Sequence, residues 1–367
     1  MPEPIKEDAG LNDDSAYARQ VLESCRVLCD DPNQAVRLTD RWNKAAVVTD
    51  GSNVPGLGDV GALASLPLVE QKSRVMRRLA DITAFPLVLN SKNVDDAVRT
   101  IASIAPSFGV VNLEAMTEAA SLEIKRRLNE IEELPIFHDV QDGLPILCLA
   151  AILNALKVVG KKMANIKLVI AGTETEGLPV VDFFRLAGAA DIVVCDRTGA
   201  IHRGRPGATN WIKEELAQKT NPRQVKGSLT KALTGADALI LLSAGNPPGK
   251  DILASMAPEP IVLNLSECRN IDFGPAAVLA DKNEDGPNRL NSCLVFPGLL
   301  RGVLNARARE INANMKMTAA LTLANMVPEA ELGRDFIVPK VTKTNLVAAL
   351  ADAVSVAAAA SGASLFI

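Results

Sequence analysis

Two hydrophobic periods alternate along the chain. Stretches with apolar residues every third or fourth position read as amphipathic helices, and short unbroken apolar runs read as strands buried on both faces. Residues 17–31 predict a helix, 31–33 a break, and a second helical run follows to about Trp42. The run 45–51 is a strand stopped by a turn, and a glycine-rich loop at 56–61 opens the next helix. Runs 86–90, 108–114 and 134–139 predict three more strands separated by helical stretches, two of them ending in carboxylates. Residues 145–160 form a long apolar helix, with proline in its first turn and glycine at its stop. Strand 166–171, loop 172–177, a helix from Pro179 and strand 191–196 make a βαβ unit. Apolar runs at 238–243, 260–265 and 293–296 predict further strands of an open parallel sheet. An alanine-rich helix at 347–360 packs on the outside.

This order of elements predicts an α/β fold in which two domains share a cleft, as 367 residues exceed the usual size of one core. Apolar residues are 48% of the chain and aromatics 3%, so the core is built from aliphatic side chains. A net charge of −4 with interspersed signs gives no footprint for nucleic acid. No uninterrupted apolar span and no signal segment is legible, which predicts a cytoplasmic protein with no membrane partner. The six cysteines lack a C-x-x-C pair and read as buried reduced thiols, and two histidines leave little for a zinc site.

Two loops imitate dinucleotide fingerprints. The loop at 56–61 has glycine spacing but no acidic residue at the end of a following strand. The second, Gly172-Thr173-Glu174-Thr175-Glu176-Gly177, keeps the first and third glycines of G-x-G-x-x-G, but Glu174 stands at the middle position. There the backbone must come close to a pyrophosphate, so Glu174 brings a side chain and a negative charge to the phosphates. Asp196, at the end of the next strand, suits a ribose hydroxyl acceptor.

Several segments together resemble the bacterial malic enzymes. They are Ala16-Tyr17; Val48-Thr49-Asp50-Gly51 with the loop to Ala64; Val69-Glu70-Gln71-Lys72; Asn112-Leu113-Glu114; Phe137-His138-Asp139 with Gln141 and Gly143; Cys195-Asp196-Arg197; and Phe296-Pro297-Gly298 leading to Arg301-Gly302. Their order spans about residues 11 to 325. The resemblance implies an N-terminal malic-enzyme-like α/β domain (1–144), a Rossmann-type doubly wound parallel-sheet domain (145–345) and a C-terminal helix (346–367). It implies oxidation of a hydroxy acid by a nicotinamide, with decarboxylation aided by a divalent cation, and a homodimer. By the match Lys72 is the base, Tyr17 the acid and Asp139 the group orienting the lysine; burial in a cleft would lower the Lys72 pKa as a base requires. Tyr17 is the only tyrosine.

The chain departs from the pattern where ligands bind. A hard cation needs several oxygens, and of three expected carboxylates only Glu114 stands; Ala115 and Val140 replace the others, with Asp142 as a possible substitute. Ser266 stands where the pattern has an Asn-Pro, and Asn291-Ser292 replaces an Asn-Asn pair at the substrate. These residues predict weakened NAD or NADP binding, an absent metal and a small carboxylic-acid substrate. Three readings follow: a divergent oxidoreductase/decarboxylase for a 2-hydroxy or 2-keto acid; a metal- and NAD-independent decarboxylase or tautomerase using Lys72, Tyr17 and Asp139; or a non-catalytic paralogue that binds a metabolite or partner.

Overall fold

The computed structural model describes residues 14–131, 134–172, 176–206, 211–243, 253–269, 271–274, 276–283 and 286–365, the side chains of 14–17 and 131 excepted. The first described element is α1 (Asp14–Asp30), whose contacts are chiefly with the short turns that follow it, among them the helical turn α2 (Ala35–Leu38).

A four-stranded parallel sheet then forms from β1 (Lys44–Thr49), β2 (Thr83–Val88), β3 (Val110–Leu113) and β4 (Ile136–His138), in the order β2-β1-β3-β4. Its helices are α3 (Ala62–Ala80), α4 (Val94–Ile104) and α5 (Glu118–Ile131). The strand β1 lies between two neighbours and under helices on both faces, which is why its sequence is an apolar run without alternation. The glycine loop before α3 folds back on the end of β1. A Cβ on Gly51 would strike the Gly61 carbonyl and lie 2.9 Å from Ser65 Oγ, so the position is restricted to glycine. This loop shapes the entry to α3.

A one-turn π-helix at residues 139–143 leads from β4 into α6 (Leu144–Val158). With that turn, α6 is long and apolar enough to cross a membrane, but 78% of the stretch is buried inside the fold. It is the core helix between the two sheets.

The second sheet has the order β10-β9-β8-β5-β6-β7. Its members are β5 (Lys167–Ala171), β6 (Asp191–Asp196), β7 (Gly199–Ala200), β8 (Ala238–Leu241), β9 (Ile261–Asn264) and β10 (Val278–Asp281). All pair in parallel except the edge strand β7. The helix α7 (Gly177–Leu186) connects β5 to β6, and α8 (Trp211–Lys219) and α9 (Leu229–Leu233) follow. Successive strands are added on one side of β5 as far as β7 and on its other side from β8 onward, which makes the β5–β8 edge the switch point at which open α/β sheets bind ligands.

One expectation fails here. Residues 293–296 are not a strand: a 3₁₀ turn at Ser292–Leu294 leads into α10 (Phe296–Asn305), with Pro297 in its first turn. The last parallel strand is β10 instead. The alanine-rich tail is α12 (Leu346–Ala360), which packs on α10 and on α11 (Ala313–Asn325). One core runs from β1 and α3 through α6 and β5 to these last helices, so the tail closes the molecule across both sheets. The cysteines divide: Cys148 and Cys195 are buried as expected, while Cys25 and Cys29 on α1 are exposed.

Candidate active site

The carboxyl ends of the two sheets face each other. Glu176, at the start of α7, is hydrogen-bonded to Glu118 in the first turn of α5, with Lys282 and Glu267 from the ends of β10 and β9 nearby. Burial first, and then Glu118, push the Glu176 carboxyl up to about 7.

Within the cleft Lys72, on α3, reaches two strand ends. Its ammonium is hydrogen-bonded to Asp139, lies 3.1 Å from a Glu114 oxygen, and sits 4.0 Å from the centroid of the Phe296 ring. Asn112 Nδ2 donates to Glu114 at 3.2 Å and fixes that carboxylate. Burial alone would lower the Lys72 pKa, but Asp139 and then Glu114 outweigh it and hold the amine above its ordinary value. The lowered pKa expected for a base is therefore not found; Lys72 rests as an ammonium. Glu114 is pushed up by burial, against the pull of Lys72.

Asp142 differs from its expected role. It is fully buried, takes Lys125 on one oxygen and Lys316 at 3.3 Å on the other, and also accepts the His138 backbone N–H at 3.0 Å. Lys125 comes from α5 and Lys316 from α11, and neither was legible as a site residue. Two lysines against one carboxylate leave a surplus positive charge. Burial drives His138 down to about 4, so its imidazole is neutral, and its Nδ1 has no partner.

A divalent cation does not fit these residues. Glu114 and Asp139 are already paired with Lys72, Asp142 with two lysines, and Ala115 and Val140 offer no oxygen. Among the described residues no group of three or more His, Cys, Asp or Glu is placed to hold a metal.

The nucleotide end fits in part. A Cβ on Gly172 would lie 2.8 Å from the Ser243 backbone nitrogen, and one on Gly177 would lie 2.9 Å from the Gly172 carbonyl. Both glycines therefore fill the close-approach roles of a dinucleotide turn. Glu174 and the side chain of Tyr17 lie outside the described residues. Asp196 is paired with Arg205 at 2.7 Å and Lys213 at 3.1 Å. Of the expected substrate contacts, Asn291 accepts the Cys293 N–H at 2.8 Å to cap its turn and Ser292 is exposed. Ser266, fully buried, donates to Asn264 Oδ1 at 2.7 Å. Cys293 lies within electrostatic reach of Lys72 and Asp139, which puts the 291–294 turn at the cleft.

Comparison with known proteins decides the family. Residues 23–129 match the malic enzyme N-terminal domain, and 274–361 match the malic enzyme NAD binding domain. The chain is 38% identical to the NAD-dependent malic enzyme of Geobacillus stearothermophilus, over 98% of this chain and 76% of that one. The chain belongs to the malic enzyme family. It is also 37% identical to the bifunctional malic/malolactic enzyme of Bacillus subtilis, over 95% of this chain and 86% of that one. The solved NAD-dependent malic enzyme of Thermotoga maritima superposes with a TM-score of 0.89 at 32% identity, covering 97% of this chain and 95% of the other. The α/β fold with an N-terminal malic domain and a Rossmann-type domain is thus shown.

Proposed function

We propose that this chain is a malic-enzyme-like oxidoreductase or decarboxylase for a small 2-hydroxy or 2-keto carboxylic acid, malate or oxaloacetate, and that it works without a divalent cation. The observation that carries the proposal is the Lys72 ammonium, held between Asp139 and Glu114 under the Phe296 ring.

Loss of CO₂ from the carboxylate β to the keto group, as in oxaloacetate, leaves the electron pair of the broken C–C bond on the enolate oxygen, where a cation must meet it. A buried ammonium supplies that charge and also a proton. Lys72 hydrogen-bonds the enolate oxygen, protonates it as charge develops, and regains a proton from solvent through Asp139. The surplus charge of Lys125 and Lys316 suits the remote carboxylate of the substrate. Oxidation of the hydroxy acid asks more of Lys72, which must first release its proton to Asp139 before it accepts one from the hydroxyl. A bound nicotinamide supplies the hydride acceptor for that direction, and Gly172 and Gly177 are the residues that let it approach. The resting ammonium therefore favours the keto-acid reaction.

The test is CO₂ release from oxaloacetate above the spontaneous rate, with chelator and with Mn²⁺. Release is expected to persist in chelator and to fall at least about a hundredfold in Lys72→Met, the size of a general-acid contribution. Wild-type activity that requires Mn²⁺, or survives in Lys72→Met, overturns the proposal. In calorimetry the Ala115→Asp, Val140→Asp double variant is expected to take up Mn²⁺ where the wild type does not.

A further inference from the structure

Two acids meet across the mouth of the cleft. Glu118 opens α5 in the first domain, Glu176 directly precedes α7 in the second, and their side chains are hydrogen-bonded. An ionised carboxylate accepts hydrogen bonds but has none to donate, so one of the two must carry a proton for the bond to exist. Without that proton two negative charges would face each other in a part-buried position, an arrangement that strongly opposes ionisation of both.

The surroundings do not replace the proton. Glu267, from the end of β9, adds a further negative charge, and Lys282, from the end of β10, is paired with Glu267 at 2.7 Å. Cys148 of α6 also lies within electrostatic reach of Glu176; burial, and then the charge of Glu176, push its thiol above the ordinary range, so it stays neutral.

Each acid is anchored in its own domain. The Thr117 N–H, next to Glu118, donates to Ser52 Oγ at 2.9 Å in the turn after β1. The Gly172 N–H, at the head of the loop that leads to Glu176, donates to the Cys195 carbonyl at 2.9 Å in β6. The helix α5 packs chiefly on α4 and β4, and α7 on α6, α8 and the one-turn π-helix. The carboxyl pair therefore ties two helices that otherwise rest on different neighbours.

We propose that a proton shared by Glu118 and Glu176 latches the mouth of the cleft, holding it closed in acid and releasing it in mildly alkaline solution. The two acids titrate as one unit. The Glu176 carboxyl, pushed up to about 7 by burial and then by Glu118, puts the change near neutral pH. Above that value the bonded fraction falls by up to about tenfold for each unit of pH. The latch acts on the loop that carries Gly172 and Gly177, so it governs how readily a ligand enters and leaves, whichever acid or nucleotide the cleft binds.

The experiment is amide hydrogen exchange of the full chain at about pH 5.5 and about pH 8.5, read by mass spectrometry with α12 as the internal reference for the intrinsic pH dependence. The first amides of a helix have no intrahelical partner, so their protection reports what covers them. In the wild type, protection of the first turns of α5 and α7 is expected to fall together by at least about tenfold relative to α12 between the two pH values. Glu176→Gln and Glu118→Gln each place a neutral donor against the remaining carboxylate, so both are expected to keep the two turns protected at either pH. Glu176→Ala is expected to leave them unprotected at both; it is checked by thermal melting, and if it unfolds the two Gln variants carry the decision. Wild-type protection that does not change with pH, or that falls as far in the Gln variants, overturns the latch. A fall confined to one of the two helices also overturns it, because the other acid then takes no part.

Discussion

Glu176 couples the cleft to pH. Its carboxyl is buried beside Glu118 and Glu267, with Lys282 opposing them, and rises from an ordinary 4.5 to about 7. The folded protein therefore binds an extra proton between those two values, and this contribution to stability is full below pH 4.5, declines as pH rises to 7 and is flat beyond. The span is worth roughly 3 kcal/mol. His138 acts with the opposite sign: lowered from 6.5 to about 4, it contributes stability that is present above 6.5 and lost as pH falls toward 4. Between 4.5 and 6.5 the two slopes oppose each other. Chemical denaturation of Glu176→Gln is expected to show stability rising with pH across that window, with a gain over wild type above pH 7 and little change near pH 4. Parallel curves for the two proteins would remove Glu176 from this role. The residue scale also shows how far sequence reached. Lys72, Glu114 and Asp139 could be named because each closes or follows a legible strand or helix within a known series. The direction of the Lys72 shift could not, because it is set by two carboxylates that meet only in three dimensions. Lys125 and Lys316 were hidden for the same reason, lying 17 and 174 residues from Asp142.

At the scale of elements, the parallel strands with both faces covered were readable and the edges were not. A four-residue apolar run such as 293–296 has no period to separate strand from helix, and Pro297 and Gly298 turn it into a helix start. The strand β10 escaped notice because it is an edge: Leu279 is 38% exposed, so its pattern is neither continuous nor cleanly amphipathic. The glycines of α10 carry information of another kind. A Cβ on Gly298 would lie 2.6 Å from Leu350 Cβ, and one on Gly302 would lie 2.7 Å from the Ala351 carbonyl, so both allow α12 to approach backbone to backbone. Gly298→Ala is expected to cost about 1–3 kcal/mol by overpacking, read in a denaturant melt. Gly286→Ala serves as the control, since nothing lies within 4 Å of its Cβ position. Equal stability of the two variants would mean that α12 sits more loosely than its glycine contacts imply.

Across the whole molecule, Asp142 ties the N-terminal sheet to the far end of the chain. Lys125 approaches it from α5 and Lys316 from α11, and the site is closed to water on the carboxylate side, where Asp142 is 0% exposed. A buried ion pair is weak evidence of net stabilisation, but removing one partner leaves uncompensated charge and costs roughly 3–5 kcal/mol. Here the asymmetry decides which partner matters. Asp142→Asn strands two ammoniums, while Lys316→Met strands none, because Lys125 still neutralises Asp142. The pKa of Lys125 is held down by burial and further by Lys316, so losing Lys316 also relieves a repulsion. Asp142→Asn is therefore expected to destabilise by the full amount and Lys316→Met by about 1 kcal/mol or less. In the double variant one lysine fewer is left unpaired, so its loss should fall clearly below that of Asp142→Asn alone, a coupling of at least about 1 kcal/mol in a double-mutant cycle. Strict additivity would show that Lys316 does not share the carboxylate, and that α11 is held against the N-terminal domain by apolar packing alone.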